Sequence, residues 1–250
     1  MKVLITDNIN KCVKDIISET AEAVFIPTMS KEEIIKIIGE YDALMVRSQT
    51  KVNRNIIEAG KKLKIIGRAG VGVDNIDVNS ATEKGIIVVN SPDGNTIAAS
   101  EHTIALMLAI SRNIVPASQS TKEGKWNRDA FTGTELFGKT LGVMGFGRIG
   151  RKVVNIALSI GMKVIVYDPF ANEEMVNKKG ALYETSLDNF LKTLDYLSIH
   201  IPKTSDTINI INKENINKMK KGAIIINCSR GGLVNENDLK EALENGQISA

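Results

Sequence analysis

Cysteine is scarce: there are 2 in 250 residues, Cys12 and Cys228, too few for a disulfide framework. No His/Cys grouping has metal-ligand spacing, so no metal is expected, and a reduced cytoplasmic compartment is the default. An excess of either charge is also lacking. The net charge is +3 and no Lys/Arg block dominates, so neither nucleic acid nor an acidic membrane surface is expected as a partner. Small anionic ligands need only local positive charge and remain open. Long apolar runs are missing too. Ile104–Ile110 is too short to span a bilayer, and the N-terminus reaches Asp7 too soon for a secretory h-region. Neither low-complexity tract nor sequence repeat is evident.

What is present is an alternation of short β-branched runs with helix-period segments, in a chain long enough for two modest domains. Strands are expected at Val3–Thr6, Ala23–Ile26, Ala43–Arg47, Leu63–Ile66 and Ile86–Asn90, with helices at Ile9–Glu19, Lys31–Glu40, Arg54–Ala59 and Val78–Lys84. A longer helical stretch, Ala98–Lys122, follows, with Pro116 expected to kink or break it. A second alternation places strands at Thr140–Met144, Lys163–Tyr167, Tyr196–Ile201 and Ala223–Asn227. Apolar runs with little polar interruption indicate strands buried on both faces of parallel sheets. The expectation is an α/β chain of two doubly wound domains, 1–92 and 93–250. Pro27, Pro92, Pro169 and Pro202 fall just after strands and mark the C-terminal sheet edge, where open parallel sheets bind ligands. Gly246–Ala250 reads as a turn and the start of one more buried strand, so the chain is expected to be a fragment cut within that strand.

The strand Thr140–Met144 runs straight into Gly145-Phe146-Gly147-Arg148-Ile149-Gly150 and a helix. In that context the glycines have distinct uses. Gly145 makes the tight turn, Gly147 lets the backbone approach a pyrophosphate, and Gly150 lets the helix pack on its strand. Asp168 ends the next strand, eighteen residues after Gly150, where a carboxylate accepts ribose hydroxyls and repels the 2′-phosphate of NADP. NAD is the expected cofactor. Arg230, between a strand end and Gly231-Gly232, suits a substrate with a carboxylate beside a carbonyl, and equally a loop salt bridge. His200 and His102 read as structural histidines.

Together with these, Val46-Arg47-Ser48, Gly67–Asn75, Asn90–Asn95, Ser100–Thr103, Gly124-Lys125-Trp126, Gly133–Leu136 and Asn227–Gly232 occur in an order that resembles the D-2-hydroxyacid dehydrogenases over all 250 positions. Within that family the likeness is greatest to members that oxidise D-3-phosphoglycerate. The resemblance implies a flavodoxin-like substrate domain, a Rossmann-type NAD domain, and hydride transfer between C2 of a small anionic 2-hydroxy acid and nicotinamide. By position it implies cofactor contacts from Gly145, Gly147, Arg148, Ile149, Gly150, Asp168, Ile201, Cys228 and Ser229. Arg230 matches the catalytic arginine. The N–H groups of Gly70, Val71 and Gly72 are expected on the substrate carboxylate, Asn95 near substrate, and Arg47 and Arg68 on phosphate or carboxylate. Homodimers or higher homo-oligomers through the NAD domain are implied as well. The acid/base histidine and glutamate of relatives match no residue here and are expected downstream. Two alternatives are glyoxylate/hydroxypyruvate reduction or another D-2-hydroxyacid dehydrogenase activity, and a catalytically silent NAD-sensing binding protein.

Overall fold

The computed structural model describes residues 1–10 and 12–250. The chain divides into two compact units, Met1–Asn95 and Thr96–Ala250. Among the described residues no helix is long and apolar enough to cross a membrane.

The first unit alternates strand and helix throughout: β1 (Lys2–Ile5), α1 (Cys12–Ser18), β2 (Glu22–Phe25), α2 (Lys31–Ile37), β3 (Ala43–Val46), α3 (Arg54–Ala59), β4 (Ile65–Arg68), α4 (Val78–Glu83) and β5 (Ile87–Asn90). Lys11, inside the helix expected at Ile9–Glu19, lies outside the described residues. The five strands pair in parallel in the order β2-β1-β3-β4-β5, the flavodoxin-like order. Successive side chains of a strand point to opposite faces. Leu4, Leu44 and Ile66 therefore join Ile34, Ile38, Ile56 and Ile57 on one face, while Val3, Ile5 and Ala43 pack on the other. This two-sided burial explains the lack of polar alternation in these strands. Ser30, Asn53 and Asp77 cap α2, α3 and α4 through their side chains, and Ser30 forms a full capping box with Glu33.

The second unit opens with α5 (Thr96–Ser111) and α6 (Ile114–Lys122). Here the expected break at Pro116 is displaced. The helices separate at Arg112–Asn113, where Asn113 adopts φ 50, ψ 35, and Pro116 sits in the first turn of α6. A missing N–H costs nothing there, because the first turn has no carbonyl to receive it. The unit continues with β6 (Thr140–Met144), α7 (Arg148–Ser159), β7 (Lys163–Tyr167), α8 (Glu173–Asn177), β8 (Leu182–Tyr183), α9 (Leu187–Lys192), β9 (Tyr196–Ile199), α10 (Lys213–Lys218), β10 (Ile224–Asn227) and α11 (Glu236–Glu244). The parallel order is β10-β9-β6-β7-β8. Counted from β6 as the first strand, this is 3-2-1-4-5, the Rossmann order, with β6 at the switch point. Ile248, fully buried, forms an isolated parallel bridge to Ala223 beside β10. Gly142, inside β6, is needed for packing: a Cβ there would lie 2.3 Å from the Leu194 side chain and 2.8 Å from Phe190.

Candidate cofactor site and substrate loops

The loop leaving β6 is built by its glycines. Gly145 has φ +100, and a Cβ on it would stand 2.7 Å from the carbonyl oxygen of His200, just past β9. Its N–H donates to Tyr167 O at 2.9 Å and ties the turn to the end of β7. At Gly150 a Cβ would come within 2.0 Å of Gly145 O, so the first turn of α7 can press on the loop only without a side chain. Gly147 differs. Its backbone is extended (φ −71, ψ −163), and a Cβ there would meet nothing within 4 Å. Gly147 is the N-cap of α7, and no side chain caps that helix, whereas Ser30, Asn53, Ser186 and Asn235 cap theirs. The leading N–H groups of a 12-residue helix thus face an approach without a side chain, the geometry that receives phosphate.

Asp168 stands one residue beyond β7. Its Oδ2 accepts the Phe146 N–H at 2.7 Å and its Oδ1 accepts the Phe170 N–H at 2.9 Å. The carboxylate therefore braces the glycine loop, a role the ribose-acid expectation did not include. Each oxygen keeps a further lone pair for a ribose hydroxyl. The Tyr183 hydroxyl donates to Asp168 O at 2.9 Å, and Arg151 donates from Nε to Phe146 O at 2.9 Å while lying over the Phe146 ring. Arg148 and Ile149 form the first turn of α7. Glycine opening, uncapped helix end and acid on the neighbouring strand fit NAD, with its pyrophosphate at α7 and a ribose at Asp168.

The ends of β9 and β10 complete this sheet edge. His200 donates its backbone N–H to Met144 O at 2.7 Å, and its Nε2 lies 2.7 Å from Ser198 Oγ. Burial lowers its pKa to about 4, which keeps the imidazole neutral at physiological pH. His102 is exposed in the second turn of α5. Ile201 O accepts the Ser229 hydroxyl at 2.8 Å, joining the two loops. Asn227 then shapes the turn: its Oδ1 accepts the Ser229 N–H at 3.0 Å, and its Nδ2 donates to Arg230 O at 2.8 Å. Arg230 Nη1 donates back to Ser229 O at 3.0 Å. Half-buried Cys228 packs against the core. Gly145–Gly150, Asp168, Ile201 and Cys228–Arg230 therefore gather at the C-terminal ends of β6, β7, β9 and β10.

In the first unit the expected anion-binding residues gather at the ends of β3 and β4. Arg47 follows β3 with its side chain exposed, and its carbonyl accepts Arg68 Nε at 3.1 Å. A Cβ on Gly70 would lie 2.6 Å from Arg68 Nη1, so glycine leaves room for that guanidinium. The Gly70 N–H donates to Arg68 O at 2.8 Å. The Gly70 N–H, expected in an anion nest with those of Val71 and Gly72, is thus committed to the backbone of Arg68. Asn95 lies in the exposed turn before α5. Two further residues hold these loops and went unassigned in the sequence. Asn75 donates from Nδ2 to Arg47 O at 2.9 Å and to Thr50 O at 2.7 Å. Buried Asp7 receives the backbone N–H groups of Arg47, Gln49 and Thr50. The available signal for Asp7 was an acid two positions beyond the apolar run Val3–Ile5.

Comparison with known proteins agrees with this geometry. Residues 104–250 match the family described as D-isomer specific 2-hydroxyacid dehydrogenase, NAD binding domain. A D-3-phosphoglycerate dehydrogenase of Synechocystis sp. is 51% identical over 247 residues, 99% of this chain and 44% of the relative, so the chain spans less than half of that protein's length. A hydroxypyruvate reductase of Thermotoga maritima is 49% identical over 222 residues, 89% of this chain and 71% of the relative. A solved D-lactate dehydrogenase from Aquifex aeolicus, complexed with NAD and lactic acid, superposes with a TM-score of 0.90 at 31% identity, covering 99% of this chain and 75% of that one. The two sheets, the glycine loop at the switch point and these matches lead to one family: the chain belongs to the D-isomer specific 2-hydroxyacid dehydrogenases and carries their NAD binding domain.

Proposed function

We propose that the protein carrying this chain oxidises D-3-phosphoglycerate to 3-phosphohydroxypyruvate, the entry to serine synthesis. The observation that carries this reading is the 51% identity, over 99% of the chain, to a D-3-phosphoglycerate dehydrogenase. NAD, when bound, supplies the acceptor for the hydride that leaves C2. The chain's own residues supply binding and orientation. The α7 N-terminus, opened by Gly147, holds the pyrophosphate with Arg148 and Ile149 in its first turn, and Asp168 holds a ribose. Ile201, Cys228 and Ser229 offer backbone to the nicotinamide half. Arg230, its carbonyl fixed by Asn227, orients the substrate carboxylate and polarises the C2 oxygen. Val71 and Gly72 present N–H groups to carboxylate, Asn95 stands near substrate, and Arg47 and Arg68 take phosphate.

A second reading, hydroxypyruvate reduction, is favoured by the Thermotoga relative, of which the chain covers 71%. Steady-state NADH formation by the full-length protein separates the two. A charge-assisted contact to phosphate contributes about 1.5–3 kcal/mol, so kcat/KM should favour D-3-phosphoglycerate over D-glycerate by about tenfold or more. Equal efficiencies, or a preference for D-glycerate, would replace the first reading by the second.

A further inference from the structure

Asp7 combines two features that rarely coincide: it is charged, and it is 2% exposed. Among the described residues no cation pairs with it. Its charge is met by one loop instead. Oδ2 accepts the N–H of Arg47 at 2.7 Å and of Gln49 at 3.1 Å, and Oδ1 accepts the N–H of Thr50 at 3.1 Å together with the Thr50 hydroxyl. Thr50 Oγ1 also lies 2.9 Å from Thr6 Oγ1, which is fully buried. The donors are some 40 positions away in sequence, so the carboxylate fastens the end of β1 to the loop after β3.

The consequence lies on the loop's opposite side. With its N–H groups turned onto Asp7, the loop presents Arg47 O outward, where Arg68 Nε and Asn75 Nδ2 both donate to it. One carbonyl, held in place by one carboxylate, thereby sets where Arg47 starts and where Arg68 is tethered. Hydrogen bonding to an ionised acceptor is roughly twice as strong as between neutral groups, and a buried carboxylate without its donors is strongly unfavourable. The loop cannot turn away without stranding that charge.

We propose that Asp7 is a positioning residue for substrate recognition, acting through the Arg47–Thr50 loop to hold Arg47 and Arg68 for the anionic end of the substrate. This rests on the reading of Arg47 as a substrate contact given above. Removing the carboxylate would leave catalytic chemistry and NAD binding intact and loosen the grip on the anion. Asp7→Asn retains an oxygen for the Arg47 and Gln49 N–H groups and an amide that can donate to the Thr50 hydroxyl, so it should recover most of what Asp7→Ala loses.

The test is a double-mutant cycle in the full-length protein, with KM for D-3-phosphoglycerate, kcat and the NAD Kd measured for Asp7→Ala, Asp7→Asn, Arg47→Ala and Asp7→Ala/Arg47→Ala. The expected result is a KM raised about tenfold in Asp7→Ala with kcat and NAD Kd near parental, recovery in Asp7→Asn, and a clearly smaller rise when Asp7→Ala is added to Arg47→Ala, because only the Arg68 tether is then left to lose. If Asp7→Ala does not fold, Thr50→Val, which deletes only the hydroxyl donor, takes its place in the cycle with a smaller rise expected. A parental KM in the folded variant beside a raised KM in Arg47→Ala overturns the proposal alone. A rise that adds in full to that of Arg47→Ala overturns it as well, because the loss would then be structural. A parental KM in Arg47→Ala removes the substrate reading itself, and the proposal with it.

Discussion

At the residue scale the informative positions are those whose neighbours come from elsewhere in the chain. His200 illustrates what burial does to a titrating side chain. Its pKa in the folded protein is lowered to about 4 from 6.5, so it stays neutral while the same residue in the unfolded chain protonates. The unfolded state then binds more protons between these values, and stability falls as pH drops through that window. One pKa unit corresponds to about 1.4 kcal/mol, so between about pH 7 and pH 5 the parent should lose about 2 kcal/mol more than His200→Gln. Urea unfolding of the two proteins at both pH values measures this, and parallel losses would show that His200 is not buried as a neutral group. Residues of this kind were legible in sequence only where their partners were local. Gly145, Gly147 and Gly150 stand out because strand, turn and helix are contiguous. Asp7 and Asn75 do not, because their partners lie about 25 to 43 positions away and only folding brings them together.

At the element scale, apolar runs marked nine of the ten strands among the described residues, and in β3, β6 and β9 the uninterrupted signal follows from burial on both sheet faces. β8 was missed because two residues carry no period. Helix ends were read less well. Pro116 suggests a kink or break, yet the turn is made by Asn113 in the left-handed region, which Asn tolerates and which no periodicity reveals. Helix α7 shows how an element end is specialised, and two substitutions separate its structural from its binding requirement. Gly147→Ala places a methyl in open space on an extended backbone, so unfolding free energy should stay within about 0.5 kcal/mol while NAD affinity drops if pyrophosphate binds where proposed, since the methyl would stand in its approach. Gly150→Ala drives a Cβ into Gly145 O and should cost about 1–3 kcal/mol as well as affinity. Urea unfolding and NADH fluorescence titration check both, and Gly147→Ala with parental affinity would remove the pyrophosphate from that position.

For the whole molecule, the buried clusters of the two units share no residue. Leu4, Leu44 and Ile66 belong with helices of Met1–Asn95, and Leu141, Val143 and Val166 with elements of Thr96–Ala250. In sequence, two runs of alternation suggest two domains and the glycine motif marks one ligand loop, but the position of that loop at a switch point follows only from strand order. Cofactor contacts are proposed only on the second unit, and a ligand stabilises only the structure whose unfolding releases it. At about 100 times its Kd a ligand adds about 2.7 kcal/mol, or close to a hundredfold slower exchange for amides that open with the unit. Hydrogen exchange with and without NAD should therefore show slowing of that order in β6, β7 and β9, with little change in β1 and β3. Equal slowing in β1 and β3 would mean that the two units open together as one cooperative body, and that the sequence's two alternations are not two units of stability.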